Sequence, residues 1–120
     1  MKRSHLKACR KKPVEQMLDK MWQWVVKSRA GCDCEVRDPA GCMAGAQAAH
    51  IVTRRDKWLR WNPKNGVCAC PNCHDDRKIK AWLKRTDPQR YEWAMRERAR
   101  THPGLKLDLE VVYDDLAGQM

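Results

Sequence analysis

The chain has 120 residues, a length that fits a single domain, and its formal net charge is +10. No apolar run approaches the ~20 residues of a membrane-spanning helix, and no apolar segment follows the basic N-terminus, so we expect neither a membrane protein nor one exported by a signal peptide. An odd number of cysteines, seven, favours the reduced thiols of a cytoplasmic protein over a disulfide scaffold.

The positive charge is concentrated in two parts of the chain. Residues 1–12 carry six Lys or Arg and no acid, and residues 51–100 carry fourteen Lys or Arg. From Leu105 onward acidic residues outnumber basic ones. This distribution predicts binding to a polyanion, most simply DNA through its phosphates, whereas the alternative is charge that serves only solubility.

Residues 1–12 are predicted to form a flexible basic arm, and a helix is predicted to begin at Pro13, since proline is tolerated in a first turn. Gly31 is a natural stop for that helix. Its apolar residues recur at helical spacing: Val14, Met17, Leu18, Met21 and Val25. Trp22 and Trp24 cannot lie on one face, so one of them is expected to meet another element or a partner subunit, and a homodimer is possible.

The middle of the chain is predicted to contain a short two-stranded unit. Gln47–Val52 is a candidate strand, Trp61–Gly66 reads as a turn, and Val67–Ala69 is a candidate returning strand. Three helices are predicted after it: one from about His74 to Arg85, one from Asp87-Pro88 to before Pro103, and a short acidic one over 109–116 with Asp108 as its cap. We therefore expect an α+β domain over residues 13–104 and an acidic tail over 105–120.

A metal site is predicted from the cysteine spacing. Cys70-x-x-Cys73 is a tight turn that presents two thiolates to one ion, and a tetrahedral structural zinc needs two further ligands. Cys34 and Cys42 are the predicted partners, with Cys32 as the alternative to either. Two further residues are left open as ligands: His74, and Cys68, which lies two residues before Cys70 and would share a face with it on an extended strand.

The segment from Cys32 to Lys84 contains an ordered set of motifs: Ala49-His50-Ile51, Arg54-Arg55, Leu59-Arg60-Trp61-Asn62-x-x-Asn65-Gly66 and Cys70-x-x-Cys73-His74. With these motifs the segment resembles the HNH endonuclease family, particularly its small phage and prophage members, and is similar to recombination-associated nucleases of lambdoid phages. This resemblance implies a ββα-metal (His-Me finger) core with a cysteine zinc site, flanked by helices. It also implies a metal-dependent enzyme that hydrolyses DNA phosphodiester bonds in the cytoplasm of a bacterial host cell.

The resemblance also implies roles for individual residues. His50 would be the general base, since a neutral imidazole accepts a proton at cellular pH. Its second ring nitrogen would be held by a backbone carbonyl or a similar group. The amide of Asn65 would brace the loop between the strands, and His74 would bind the catalytic divalent ion. Arg54, Arg55 and Arg60 are the bases nearest to this set, and we expect them to contact DNA phosphates.

One position departs from the family pattern. Many members carry Asp or His immediately before the base histidine as a second ligand of the catalytic metal, and this chain has Ala49 there. We expect weaker metal binding and a preference for Mn²⁺ or another transition ion over Mg²⁺, with Asp75 or Asp76 as candidate assisting ligands. The alternative function is a zinc-containing DNA-binding module without catalysis, and a third interpretation is an adaptor whose six Trp mark a protein interface.

Overall fold

The structure, a computed structural model, describes residues 11–39 and 41–120. Its elements are helix α1 (Lys11–Arg29), strand β1 (Gln47–His50), the single-turn helix α2 (Lys57–Arg60), a 3₁₀ turn (Pro63–Asn65), strand β2 (Gly66–Ala69), and helices α3 (Asp76–Thr86), α4 (Pro88–Ala99) and α5 (Leu109–Gln119). The chain is therefore α+β, mostly helical with one small sheet. None of the helices in these residues is both long and apolar enough to cross a membrane.

Strands β1 and β2 form an antiparallel pair at the centre of the molecule. Ala49 lies opposite Val67, and His50 lies opposite Gly66. The first strand was predicted to run to Val52 but ends at His50. Beyond His50 the main chain leaves the strand, and the Ile51 amide donates a hydrogen bond to the Asn65 carbonyl (3.0 Å). Because side chains alternate along a strand, the pair presents one set of residues to each of two cores.

One core lies between the strands and helices α1 and α5, and we call it the α1 core. Its buried residues are Val14, Leu18, Met21, Trp22, Val25, Val26, Trp61, Cys68 and Leu116. The other core lies on the opposite face, beneath α3 and α4, and we call it the α3 core. Its buried residues are Val36, Ala49, Ile51, Val52, Leu59, Val67, Ala69, Cys70, Cys73, Ile79, Leu83 and Ala94.

Helix α1 carries the apolar stripe that the sequence predicts, but it does not begin at Pro13, because Lys11 and Lys12 are already helical. The rest of the predicted basic arm lies outside the described residues. Trp22 is buried and stacks on the His50 ring, whereas Trp24 is 49% exposed. Of the two tryptophans that could not share a face, Trp22 is thus the one that meets another element.

The helices after the sheet begin at local capping signals. The Asp75 side chain accepts hydrogen bonds from the amides of Arg77 and Lys78, so α3 begins at Asp76 instead of at His74 as predicted. Asp87 and Asp108 cap α4 and α5 in the same way, as the sequence predicts. Helix α5 packs against α1, and its Leu116 is buried in the α1 core. The acidic segment therefore belongs to the packed structure.

Gly66 allows α1 to lie close to the strand pair. A Cβ atom built at Gly66 would lie 2.8 Å from Cζ2 of Trp22 and would also overlap a methyl group of Val26. We expect Gly66→Ala to lower the free energy of unfolding by about 1–3 kcal/mol, since an added methyl must displace buried side chains. Chemical denaturation measures this loss.

Gly118→Ala is the matched control for this substitution. Gly118 lies within α5, and nothing lies within 4 Å of a Cβ built there. Its replacement should leave stability unchanged or raise it by about 0.5–1 kcal/mol. Equal unfolding free energies for Gly66→Ala and the unaltered protein would contradict the close packing of α1.

Candidate metal centre and active site

Four cysteines converge at one end of the α3 core. The Sγ atoms of Cys34, Cys42, Cys70 and Cys73 all lie within 4.8 Å of one another, and this is the one cluster of at least three candidate metal ligands in residues 11–39 and 41–120. Cys70 and Cys73 come from the turn after β2, and Cys34 and Cys42 come from the loop before β1. These four can hold a metal ion, and they are the set that the sequence predicts.

The spacing of these thiols fits zinc. With Zn–S bonds of about 2.3 Å, tetrahedral geometry puts neighbouring sulfurs about 3.8 Å apart. The Sγ atoms of Cys42 and Cys73 are 3.8 Å apart. A zinc ion held by all four thiolates would have the closed coordination shell of a structural site, with no open position for catalysis.

The thiols also differ in their tendency to ionise. A hydrogen bond from the Met43 backbone lowers the pKa of Cys70 to about 6, whereas burial raises the pKa of Cys73 to about 12. This divergence is expected where neighbouring thiols share one site, because the first negative charge opposes the second. A divalent cation would remove that conflict by attracting every thiolate.

Three other candidate ligands lie outside the cluster. Cys32 is exposed, and Cys68 is buried in the α1 core, where burial raises the pKa of its thiol. Cys70 lies beyond the end of β2 and belongs to the α3 core, so the expectation that Cys68 and Cys70 share a face is wrong. His74 follows the turn directly, but its ring nitrogens are not among the clustered atoms.

Lys78 links the two loops that carry the cysteines, a role the sequence did not reveal. Its Nζ donates to the carbonyl of Asn72 (2.9 Å) and lies 3.2 Å from a carboxylate oxygen of Asp38. Asn72 in turn donates to the Gly41 carbonyl. The two halves of the metal centre are therefore also held together by polar contacts.

His50 lies at the end of β1 with one ring nitrogen fixed. Its Nε2 is 2.9 Å from the carbonyl oxygen of Arg60. A carbonyl only accepts, so Nε2 carries the proton, and in the neutral ring the lone pair is on Nδ1. Burial lowers the pKa of His50 below its ordinary value of 6.5, although the Arg60 carbonyl and the charge of Asp19 oppose that shift. The neutral form of His50 therefore predominates at pH 7, with Nδ1 as its basic atom.

Asn65 braces the loop between the strands. Its side chain is fully buried, its Oδ1 accepts from the Val52 amide (2.8 Å), and its Nδ2 donates to the carbonyls of Val52 (2.9 Å) and Leu59 (3.2 Å). The predicted bracing contact is therefore present. The loop that it closes leads directly from His50 to Arg60.

Replacing Asn65 by alanine should cost about 3 kcal/mol of unfolding free energy, because it leaves buried backbone groups of the loop without partners. Asn65→Asp retains the acceptor for the Val52 amide but loses both donated hydrogen bonds, so we expect it to be destabilised as well. Thermal and chemical unfolding of the two variants measure the effect. A fully stable Asn65→Ala protein would contradict the bracing role.

Arg60 is not free to contact phosphate in this structure. Its Nε and Nη2 donate to the two carboxylate oxygens of Asp19 (3.0 and 2.8 Å), and Glu15 lies 3.8 Å from Nη1. Its guanidinium also lies over the ring of Trp61. Its predicted role as a phosphate contact is therefore replaced by an internal ion pair, while Arg54 and Arg55 are exposed.

His74 is exposed and lies two residues before α3. Each neighbouring carboxylate has one oxygen in a contact of its own: Oδ1 of Asp75 caps α3, and Oδ2 of Asp76 pairs with Lys80 (3.0 Å). Ala49 is buried in the α3 core, so no ligand comes from the position before His50.

The helices next to the two histidines pack on different faces of the strand pair. His50 faces α1, whereas α3, which follows His74, packs on the opposite face. No hydrogen bond, ring contact or ligand cluster joins the two imidazoles within the described part of the chain. His50 is thus held by contacts with α1 and Arg60, whereas His74 is an exposed residue just before α3.

Two arginines that the sequence did not single out hold the turn before β2. Arg29 donates to the carbonyls of Pro63 (3.0 Å) and Gly66 (2.8 Å), and Arg90 donates to those of Lys64 (2.8 Å) and Gly66. They come from α1 and α4, which lie far from the turn in sequence. Sequence spacing carries no signal for such contacts.

Comparison of this chain with protein-family models, with curated proteins and with solved structures found no match.

Proposed function

We propose that this protein is a metal-dependent endonuclease of the HNH type, with a ββα-metal (His-Me finger) core, that hydrolyses DNA phosphodiester bonds. The observation that carries the proposal is the state of His50. One nitrogen of its ring is tied to a backbone carbonyl, and the other has no hydrogen-bond partner among residues 11–39 and 41–120. The ring is thus a neutral base of fixed orientation next to a braced loop.

This arrangement suits the activation of water. Nδ1 of His50 would accept a proton from a water molecule as the water oxygen attacks the phosphorus atom. The Arg60 carbonyl, which accepts from Nε2–H, would stabilise the positive charge that then forms on the ring. Asn65 would contribute indirectly, by holding the main chain from Val52 to Leu59. Both contributions depend on residues of the β1–β2 loop.

The charge on the leaving oxygen requires a cation. A bound divalent ion would supply electrostatic stabilisation of that oxygen. His74 is the chain's proposed ligand for it, and the remaining positions would fall to substrate phosphate and water. A single imidazole favours Mn²⁺ or another transition ion over Mg²⁺, which prefers oxygen ligands.

DNA is the proposed substrate because of the distribution of charge. Exposed Arg54 and Arg55 follow His50 within five residues and are the proposed phosphate contacts. The four-cysteine metal centre would be structural, keeping the loop before β1 next to the turn after β2. We also propose that the exposed Trp24 contributes to a homodimer, which would bring two active sites to one duplex.

The test is cleavage of supercoiled plasmid DNA by the purified protein in Mn²⁺, Mg²⁺, Co²⁺ or EDTA, with DNA binding measured in parallel by gel shift. We expect nicked or linear product in Mn²⁺ and none in EDTA. Binding that persists without cleavage in any of the ions would overturn the proposal.

A second function, a zinc-containing DNA-binding module without catalysis, is favoured by one specific observation. Ala49 is buried and supplies no ligand, and neither His50 nor the exposed His74 belongs to a cluster of three or more candidate ligands in residues 11–39 and 41–120. Under this alternative the metal centre and the basic surface have the same roles as above. The plasmid assay separates the two functions.

A further inference from the structure

Two side chains of helix α1 constrain His50, one by direct contact and the other through Arg60. Asp19 and Trp22 lie three residues apart on this helix, so their side chains lie on one face. Trp22 contacts the His50 ring itself, and Asp19 contacts the residue whose carbonyl the ring donates to. From this geometry we infer that Trp22 and Asp19 are positioning residues of the active site, an inference that rests on the proposed role of His50 as general base.

The first contact is a parallel stack. The ring centroids of Trp22 and His50 are 3.9 Å apart, and the ring planes differ by 6°. The indole is itself fixed, because it is 1% exposed and its Nε1 donates to the Asn62 carbonyl (2.9 Å). A stack on a fixed ring covers one face of the imidazole and opposes its rotation out of that plane.

The second contact acts through Arg60. The carboxylate of Asp19 accepts two hydrogen bonds from the Arg60 guanidinium and a third from Nε1 of Trp61 (2.8 Å). A bidentate pair of this kind fixes direction as well as distance. Because Arg60 and Trp61 are consecutive, Asp19 fixes the main chain that carries the carbonyl partner of His50.

Together, the two contacts fix the orientation of the His50 ring. The stack sets the plane of the imidazole, and the hydrogen bond from Nε2 to the Arg60 carbonyl sets its rotation within that plane. Nδ1 then points in one direction. Gly66, opposite His50 on β2, is what lets α1 approach closely enough for the stack.

Displacing the general base should lower kcat without weakening the binding of DNA. A shift of about 1 Å in a reacting group can cost up to about 100-fold in rate, and neither Trp22 nor Asp19 would contact DNA in this scheme. We therefore expect Trp22→Leu and Asp19→Asn each to lower kcat by roughly 10- to 100-fold, with KM within about 2-fold of its original value.

The experiment that tests this inference reads the ring directly by NMR of protein with ¹⁵N-labelled histidine, in which His50→Gln identifies the His50 signals. Stacking should shift the carbon-bound protons of His50 upfield through the indole ring current, and the hydrogen-bonded Hε2 should exchange slowly with water. Trp22→Leu should abolish the upfield shift. Asp19→Asn should retain the upfield shift and accelerate Hε2 exchange.

Three further variants separate loss of the positioning contacts from loss of the folded structure. Trp22→Phe retains an aromatic face and should recover most of kcat where Trp22→Leu does not. Trp24→Leu alters an exposed tryptophan of the same helix, and Asp114→Asn alters an exposed carboxylate on α5, so neither should change the His50 signals. Thermal unfolding identifies variants that are folded at the assay temperature.

The outcomes separate this inference from the proposed function. Normal kcat in a folded Trp22→Leu protein that has lost the upfield shift would overturn the positioning role. An unaltered protein without the shift or the slow Hε2 would overturn the inferred hold on the ring. Cleavage that survives His50→Gln would overturn the proposed role of His50 as the base. The upfield shift and the slow Hε2 exchange in the unaltered protein do not depend on that result.

Discussion

Replacing His50 by alanine should abolish cleavage of supercoiled DNA in Mn²⁺ while leaving DNA binding and zinc content close to those of the unaltered protein. The reason is that the alanine variant has no group to accept the proton of the attacking water, a contribution of about 10²- to 10⁴-fold in rate. The four clustered cysteines and the exposed Arg54 and Arg55 do not involve the imidazole. Plasmid cleavage, gel shift and metal analysis of one preparation measure the three properties together.

His50→Gln is the matched variant for this prediction. Its amide can donate to the Arg60 carbonyl, as Nε2 of His50 does, but it cannot act as a base at neutral pH. We expect it to be as inactive as His50→Ala and to be the more stable of the two. Activity in either protein would show that another group removes the proton.

The pH dependence of cleavage follows from the same ring. Only neutral His50 can accept a proton, and burial holds its pKa below 6.5. The fraction of active enzyme therefore stays high at pH 7 and decreases only as the pH is lowered through that reduced pKa. The acid limb of kcat/KM for the unaltered protein should therefore lie below pH 6.5.

Replacing Cys73 by serine should release the structural metal and destabilise the protein. We expect the unaltered chain to bind one zinc ion, and a ligand present at a thousand times its dissociation constant stabilises a fold by about 4 kcal/mol. Loss of one thiolate from a four-sulfur site should remove most of that contribution. Metal analysis and thermal unfolding with and without a chelator measure the change.

The remaining cysteines provide controls within the same chain. Cys32→Ser alters an exposed thiol outside the cluster and should keep both the zinc and the stability. Cys68→Ala alters a buried thiol of the α1 core, so it should cost stability without loss of zinc. If Cys32→Ser releases zinc as readily as Cys73→Ser, the assignment of Cys34, Cys42, Cys70 and Cys73 as the four ligands is wrong.

The cysteine ligands were largely predictable, since Cys70-x-x-Cys73 is a local turn whose geometry depends on neighbouring residues. Cys34 and Cys42 were predicted with Cys32 left open, and the structure brings Cys34 and Cys42 to the turn. Their choice over Cys32 depends on the path of the loop before β1. That path includes a positive φ at Cys32 (62°) and at Arg37 (49°), which no spacing rule specifies.

The environment of His50 was predictable only in part. A backbone carbonyl was the expected partner for one ring nitrogen, and Asn65 was expected to brace the loop; both contacts are present. From the sequence, Trp22 was one of two tryptophans that could not lie on the same face of the helix, and Arg60 was predicted to contact phosphate. The structure instead pairs Arg60 with Asp19, 41 residues away, and stacks Trp22 on His50.

By itself, the sequence determined the features that depend on neighbours in the chain: the α1 stripe, the caps Asp87 and Asp108, the Cys70–Cys73 turn, and an α+β fold with the order of its elements. These follow from periodicity and capping, which act over a few residues. Tertiary structure alone decided that α1 covers His50, that Arg60 pairs with Asp19, and that α1 and α3 pack on opposite faces of the strand pair. Such contacts join residues distant in sequence, so they depend on how the helices pack around two short strands.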